Sequence, residues 1–119
     1  MNAQDVLSRY IEEFLPEFID MSLNDVNQHG HTGDTPLHVA CIRGDDEEFD
    51  VLLTAGAEVN SIGELNNLPL HYAVAQGHTK IVKKLLENGA DKNYKNELGK
   101  SATDLAVLKG FDDIMLLLS

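Results

Sequence analysis

A 33-residue repeat is the feature of this sequence that most constrains its fold. Residues 35–38 read TPLH and residues 68–71 read LPLH, and the match continues from there without a gap. A weaker third copy starts at Ser101. Self-similarity at a fixed period of this length is typical of proteins built from stacked supersecondary units. We therefore expect a short array in which each unit buries its apolar face against its neighbours.

Each unit has the pattern of two short helices followed by an extended connector. Thr35 can cap the first helix, and Pro36 suits its first turn. Gly44 ends this helix, and Gly77 stands at the same place in the next unit. The second helix is predicted over residues 46–54. Two helices this short cannot bury their apolar faces alone, so the units must stack.

The units also share a leucine pair in the second helix, a Gly-Ala pair after it and an asparagine in the connector. These residues are Leu52, Leu53, Gly56, Ala57 and Asn60 in one unit, and Leu85, Leu86, Gly89, Ala90 and Asn93 in the next. With the Thr-Pro-Leu-His opening, the pattern resembles the ankyrin-repeat family. The resemblance implies an all-α solenoid of stacked helix-turn-helix units with hairpin-like connectors.

The register divides the chain into about four units of a single domain. We expect an atypical N-terminal capping unit over residues 1–27, repeats over 28–60 and 61–93, and a partial capping repeat over 94–119. The two central repeats match the family pattern in full. Terminal units of such arrays are commonly atypical.

Both ends of the chain depart from the pattern. Residues 3–22 are predicted to be helical, with Pro16 opening the second helix of the first unit. At the other end Leu116 and Leu117 align with Lys83 and Lys84, positions that should face solvent. A chain that is cut short, a contact between two copies and a surface for a partner all explain a leucine there. The sequence leaves these alternatives open.

The formal net charge of −11 lies entirely in the first half of the chain. Residues 1–60 hold 13 acids and only Arg9 and Arg43 as cations, whereas residues 61–119 hold seven acids and seven lysines. This excess of acids argues against direct binding to nucleic acid, which needs clustered cations. No apolar run is long enough to span a bilayer, and the N-terminus does not resemble a signal peptide. With Cys41 as the single cysteine, we expect a cytoplasmic protein.

The family resemblance implies protein binding through a concave surface made of the first helices and the connector tips. The register assigns the following residues to this surface: Arg9, Tyr10, His29, His31, Asp34, Ile42, Arg43, Glu64, Leu65, Asn67, Gln76, Leu98, Lys100, Leu108 and Lys109. Five of them are apolar or aromatic where water is expected, and cations stand beside them. Aromatic and apolar side chains next to arginine are typical of interface hot spots.

A second candidate surface is an acidic ridge along the outer helices of the N-terminal half. Its residues are Glu12, Glu13, Glu17, Asp20, Asp45, Asp46, Glu47, Glu48 and Asp50. Acids at the start of a helix stabilise it through the macrodipole, so a solvated face explains part of the ridge. A docking surface for a basic partner is the alternative. The net charge alone therefore does not identify the binding face.

Little in the sequence indicates catalysis or a cofactor. The resemblance implies that His38 and His71 join neighbouring units by hydrogen bonds, and Cys41 stands at a buried position of its helix. No phosphate-binding loop, nucleophile elbow or paired-carboxylate site is present. His29 and His31 leave a remote alternative of metal binding or catalysis, although two imidazoles without a third ligand are a weak zinc signal. We expect no enzyme activity, no cofactor and no bound metal.

These features predict a protein that binds another protein and is a monomer when free. The most concrete form of this prediction is a small acidic inhibitor, similar to bacterial immunity proteins and antitoxins. Such an inhibitor masks a basic partner such as a nuclease toxin. Electrostatic attraction would speed such an association. The alternative is a generic adaptor or regulatory subunit that uses the concave face and depends little on charge.

Overall fold

Seven short α-helices form the framework of the protein in a computed structural model, which describes residues 1–13, 16–18 and 21–119. In chain order the helices are α1 (Ala3–Glu12), α2 (Pro36–Arg43), α3 (Asp46–Thr54), α4 (Pro69–Ala75), α5 (Thr79–Glu87), α6 (Ala102–Lys109) and α7 (Asp112–Leu118). Short 3-10 turns occur at Pro16–Phe18 and Glu64–Asn66. Within the described ranges there is no β-strand.

The helices form two rows. Helices α2, α4 and α6 pack side by side in one row, and α3, α5 and α7 form the other. Within each unit the two helices pack against each other, as α2 does with α3. The predicted all-α solenoid of helix-turn-helix units is therefore confirmed.

Gly44 shows why the turn between the two helices of a unit needs glycine. Its φ of 73° lies in the left-handed region, which other residues rarely adopt. A Cβ at this residue would also stand 2.4 Å from the ring of His78 in the next unit. His78 in turn approaches the Ile42 carbonyl with its Nε2 atom at 3.2 Å. The absence of a side chain at Gly44 thus lets the next unit pack closely.

Histidine rings join neighbouring units. The Nδ1 atom of His38 accepts a hydrogen bond from the backbone N–H of Thr35 at 3.0 Å, so the ring proton is on Nε2. That Nε2–H donates to the carbonyl of Asn67, 29 residues later, at 2.9 Å. His71 repeats the arrangement with Leu68 on its Nδ1 side. The predicted structural role of both histidines is confirmed.

His71 extends the same link to the last unit. Its Nε2–H lies 3.0 Å from the Lys100 carbonyl and 3.1 Å from the Tyr94 carbonyl. Both histidine side chains are buried. Burial disfavours the imidazolium form and holds the pKa of His38 and of His71 below the ordinary value. In the neutral ring, Nδ1 accepts a backbone N–H at the start of its own helix while Nε2–H donates to the next unit.

Asparagines provide a second link at the opposite end of the helices. The amide nitrogen of Asn27 donates to the Gly56 carbonyl at 3.1 Å, and its oxygen accepts from the Glu58 N–H at 2.8 Å. Asn60 makes the same two bonds to Gly89 and Asp91 at 3.0 and 2.9 Å. Because the bonds recur at the repeat period, each unit fixes the position of the next.

The N-terminal unit differs from the sequence-based prediction. Helix α1 makes its main packing contacts with α3, so it extends the row of second helices instead of the row of first helices. Residues 16–18 form a 3-10 turn where a second helix was predicted, and Met21 and Ser22 lie outside any helix. The predicted ridge residue Asp20 lies outside the described residues. The side chain of Glu48 on α3 explains the position of α1, as the next subsection describes.

The neutral histidine links predict a loss of stability in mild acid. Unfolded histidines titrate near pH 6.5, so below this pH the unfolded chain binds more protons than the folded chain, in which the pKa of both rings is lowered. We expect the free energy of unfolding to fall with decreasing pH, by up to about 1.4 kcal/mol per pH unit for each ring. Urea denaturation between pH 7.5 and 5.5 measures this slope.

The double variant His38→Gln/His71→Gln is the test of the assignment. It should be less stable at pH 7.5 but show a flatter dependence on pH. Leu70→Ala, which removes a buried apolar side chain and alters no titratable group, is the control: it should lower stability but keep the slope. An unchanged slope in the double variant would contradict the account.

Candidate binding surface

Three hairpin connectors lie side by side at one end of the helices. Each closes with a backbone hydrogen bond: Gly30 to Asp34, Gly63 to Asn67 and Asn96 to Lys100, at 2.8, 2.8 and 2.9 Å. The residues enclosed by these bonds, 31–33, 64–66 and 97–99, are called the fingertips below. The predicted hairpin-like connectors are confirmed, and they repeat at the period of the sequence.

The fingertips are fastened to one another. The Glu97 N–H donates to the Leu65 carbonyl at 2.9 Å, and the Asn96 side chain donates to the Asn67 side chain at 2.9 Å. At the first boundary the Glu64 N–H donates to the carboxylate of Asp34 at 2.9 Å. The three tips therefore form one continuous edge of the molecule.

Asp34 was assigned to the binding surface, and the structure corrects its expected exposure. Its side chain is buried. Its carboxylate accepts hydrogen bonds from the Glu64 N–H at 2.9 Å and from the Tyr72 hydroxyl at 3.0–3.1 Å. The Tyr72 ring also meets the His38 ring edge-on, with 5.6 Å between centroids. Asp34 thus holds the second connector against the first helices.

Tyr72 is a residue of this surface that sequence reasoning missed. It is half-buried on α4, and both its burial and the Asp34 carboxylate raise the pKa of its hydroxyl. The repeat register contained a signal, because the equivalent positions are Val39 and Leu105. A single tyrosine at an aliphatic position indicates a local polar partner.

Exposed apolar side chains occur on the first helices and on the fingertips. Leu108 is 73% exposed and Leu98 is 71% exposed, and Ile42 and Leu65 are also exposed. Gln76, which follows α4, and Lys109, which follows Leu108 on α6, are also exposed. We call Ile42, Gln76, Leu108 and Lys109 the palm. The remaining assigned residues His29, His31, Glu64 and Lys100 are exposed, whereas Asn67 is half-buried.

Tyr10 was expected to face solvent, and this expectation is wrong. Its side chain is fully buried, its ring stacks on Phe18 with centroids 6.2 Å apart, and its hydroxyl donates to the Glu48 carboxylate at 3.0 Å. Burial and the Glu48 charge raise the pKa of the hydroxyl. Because α1 lies on α3, Tyr10 points into the interface between the two helices.

Glu48 was assigned to the acidic ridge, but it is fully buried. Arg9 donates to one carboxylate oxygen at 3.0 Å, and Arg43 donates to the other at 3.0 Å. Arg43 also pairs with Glu13 and lies over the Tyr10 ring, 5.5 Å from its centroid. We call these five residues the Glu48 cluster. It attaches α1 to the repeats.

The Glu48 cluster changes the expected charge of the binding surface. Arg9 and Arg43 were assigned to the binding surface as cations beside its apolar side chains. Their hydrogen bonds and the charge of Glu48 raise the pKa of both guanidinium groups, against the effect of partial burial. Since both cations are paired with acids of the same molecule, they are not available as free positive charges on the palm.

The acidic ridge is also engaged within the molecule. Lys84 binds Asp50 at 2.9 Å, and Lys80 lies 3.8 Å from Asp46. Asp45 caps α3 by accepting the Glu48 N–H at 3.0 Å. These contacts leave a less continuous acidic surface than the sequence predicted.

Other ridge residues differ in their surroundings. Glu17 binds the first connector, where its carboxylate accepts from the Asp34 N–H at 3.0 Å and from Thr32. Glu12 and Glu47 are exposed. The ridge therefore consists of acids with different local roles instead of one uniform face.

Residues that could hold a metal or carry catalysis are not brought together in the described part of the chain. No group of three or more His, Cys, Asp or Glu side chains there is placed to hold a metal ion. Cys41 is fully buried, which raises the pKa of its thiol. A cavity of about 370 Å³ lies between the start of α1 and the end of α3, and Asp50 of the ridge is one of its lining residues.

The stacked units and exposed edge define a helical-repeat binding protein, and comparison with known proteins agrees. The family model for ankyrin repeats (3 copies) matches residues 5–96 and 69–119. The chain belongs to the ankyrin-repeat family, whose members generally act as protein-binding modules. A search of curated proteins finds no match. Among the described residues, none of the helices has the length and apolar character needed to cross a membrane.

The buried Glu48 carboxylate predicts a large effect of a single substitution. Glu48→Ala leaves the Tyr10 hydroxyl and two guanidinium groups without their shared acceptor. We expect the free energy of unfolding to fall by about 3 kcal/mol, as found when one partner of a buried ion pair is removed. Glu47→Ala removes the neighbouring exposed acid and should change stability by less than about 0.5 kcal/mol.

Denaturation monitored by circular dichroism compares the two variants directly. Equal and small effects would contradict the assignment of Glu48 as the attachment point of α1.

Proposed function

We propose that this protein is a non-enzymatic binding module that holds a partner protein on its palm and fingertips. The observation that carries the proposal is the exposure of Ile42, Leu65, Leu98 and Leu108 at the positions that the repeat register assigns to this surface. Apolar side chains gathered on one surface favour an interface, whereas scattered ones need no explanation.

The internal contacts of the charged residues support the palm over the acidic ridge. Glu48 is buried, and the carboxylates of Asp46 and Asp50 have lysines of α5 beside them. A partner that docks on the ridge would compete with these contacts. A partner that docks on the palm does not have to break such contacts, because Leu108 and Ile42 are already exposed to water.

In its most concrete form, the protein is a small inhibitor that masks a basic partner, similar to bacterial immunity proteins and antitoxins. The net charge of −11 supports this form. Pairing within the molecule redistributes local charge but does not change the total, so the long-range field still attracts a cation-rich protein. A basic nuclease is one such partner, and the cytoplasm, where Cys41 stays reduced, is the proposed location.

The alternative is a generic adaptor or regulatory subunit that uses the same surface. The apolar composition of the palm supports it equally, since apolar contacts contribute affinity without regard to net charge. The two forms differ in how strongly association depends on salt.

Matched substitutions on the two surfaces test which one binds. Leu108→Glu places a charge on the palm, and Glu47→Lys reverses a charge on the ridge; both positions are exposed, so both variants should fold. Once a partner is purified, we expect Leu108→Glu to weaken binding at least about tenfold, as loss of a central apolar contact does. Glu47→Lys should change affinity by less than threefold at physiological salt. Isothermal titration calorimetry measures both, and the reverse ranking would contradict the proposal.

Salt dependence separates the inhibitor from the adaptor. For an inhibitor of a basic partner, the association rate constant should fall by about tenfold or more between 20 mM and 500 mM NaCl, because steering is screened. Stopped-flow mixing measures this rate. A rate that does not change with salt would contradict the inhibitor and leave the adaptor form intact.

A further inference from the structure

The last unit exposes a residue at a position that is buried elsewhere in the stack. Val107 on α6 is equivalent to Cys41 and Val74, which are both fully buried. Val107 itself is 61% exposed. The equivalent residues are part of the core, whereas Val107 lies on the surface of the last unit.

Leu116 adds a second apolar side chain to this end. It is 75% exposed and is equivalent to Asp50 and Lys83, which are both charged. Asp50 contacts Lys84 in the unit that follows it, so this position faces the next layer of the stack. Helices α6 and α7 pack against each other, and half-buried Met115 also lies on α7. We call Val107, Met115 and Leu116 the end face.

The last unit lacks the histidine that links the other units. His38 and His71 each bond to the unit that follows, but the equivalent residue of the last unit is Asp104. The Asp104 carboxylate accepts the N–H of Ser101 at 2.9 Å and so closes the cap of its own helix. A carboxylate cannot donate to a carbonyl of a following unit.

The distribution of charge favours a second copy of the chain at this face. All of the net charge lies in residues 1–60, and residues 61–119 are neutral overall. Two copies that meet through their end faces keep their acidic halves at opposite ends. A head-to-tail arrangement would instead bring the end face against the acidic N-terminal half of the next copy.

The size of the end face is sufficient for a weak dimer. Helices in adjacent layers pack about 8–10 Å apart, so four layers account for the longest dimension of 38 Å, and each end measures about 27 by 21 Å. If most of this end is covered on both copies, about 1,000 Å² is buried in total, near the lower limit for a specific interface.

We propose that two copies of the chain associate through their end faces in a two-fold symmetric dimer. A closed dimer uses the same patch on both copies. It leaves the palm and fingertips of each copy open, so the dimer does not depend on the proposed function. A dimer replaces the sequence-based prediction of a monomer and gives the exposed Leu116 a contact.

Sedimentation equilibrium of the full 119-residue protein tests the dimer. We expect the mass to rise with concentration from 13.1 kDa towards twice that value, and to go no higher. Leu116→Lys, which restores the type of residue found at Lys83, should raise the dimer dissociation constant at least about tenfold. The position is exposed, so the monomer should keep its fold, as circular dichroism can verify. Dimerisation should persist in 0.5 M NaCl because the end face is apolar.

Ile42→Lys is the matched control, because it places the same charge at another exposed apolar position, on the palm. The control should dimerise like the unmodified protein. A monomer at every concentration up to about 1 mM, near the weakest range of specific binding, would overturn the proposal. So would masses above the dimer, or a dimer that Ile42→Lys disrupts and Leu116→Lys does not.

Discussion

The hydrogen bond from a neutral histidine ring to a backbone carbonyl of the next unit is the interaction on which the stack depends. His38 reaches Asn67 and His71 reaches Lys100, both 29 residues later, and in each case the other ring nitrogen holds the start of its own helix. One side chain therefore fixes both the cap of a helix and the distance to the next unit. The connectors, and with them the fingertips, are positioned by these bonds. A protein of 119 residues can then present an extended edge without a large central core.

Charge has several roles in the molecule. Part of the acid excess is structural, since Glu48 attaches α1 through Arg9 and Tyr10 and the lysines of α5 meet acids of α3. The total remains −11, so a negative long-range field persists even though individual acids are engaged locally. Surface docking and long-range attraction can thus be assigned to different residues, and an acidic composition does not by itself define an acidic binding site.

The sequence predicted the repeated part of the fold because each unit carries its own signals. Thr-Pro at the helix start, Gly44 and the predicted 46–54 helix all correspond to α2 and α3. The prediction was wrong for the N-terminal unit, where α1 lies on α3 and Tyr10 is buried, and for Glu48, which is internal. The register carried a signal for Glu48, because it aligns with the buried Ile81 and Ile114. The Tyr10 contact joins residues 38 positions apart and leaves no trace in local periodicity. Asp34 was misplaced for a similar reason, since its partner Tyr72 is also 38 positions away.

The protonation state of the two histidine rings is the most direct test of the account. A long-range ¹H–¹⁵N correlation spectrum of the folded protein at pH 7 distinguishes the two neutral tautomers from imidazolium. We predict that His38 and His71 are neutral, with the proton on Nε2 and an unprotonated Nδ1 that accepts a backbone N–H. A proton on Nδ1 of either ring, or imidazolium at this pH, would contradict it, because the bond between units would then lack its donor or the helix cap its acceptor.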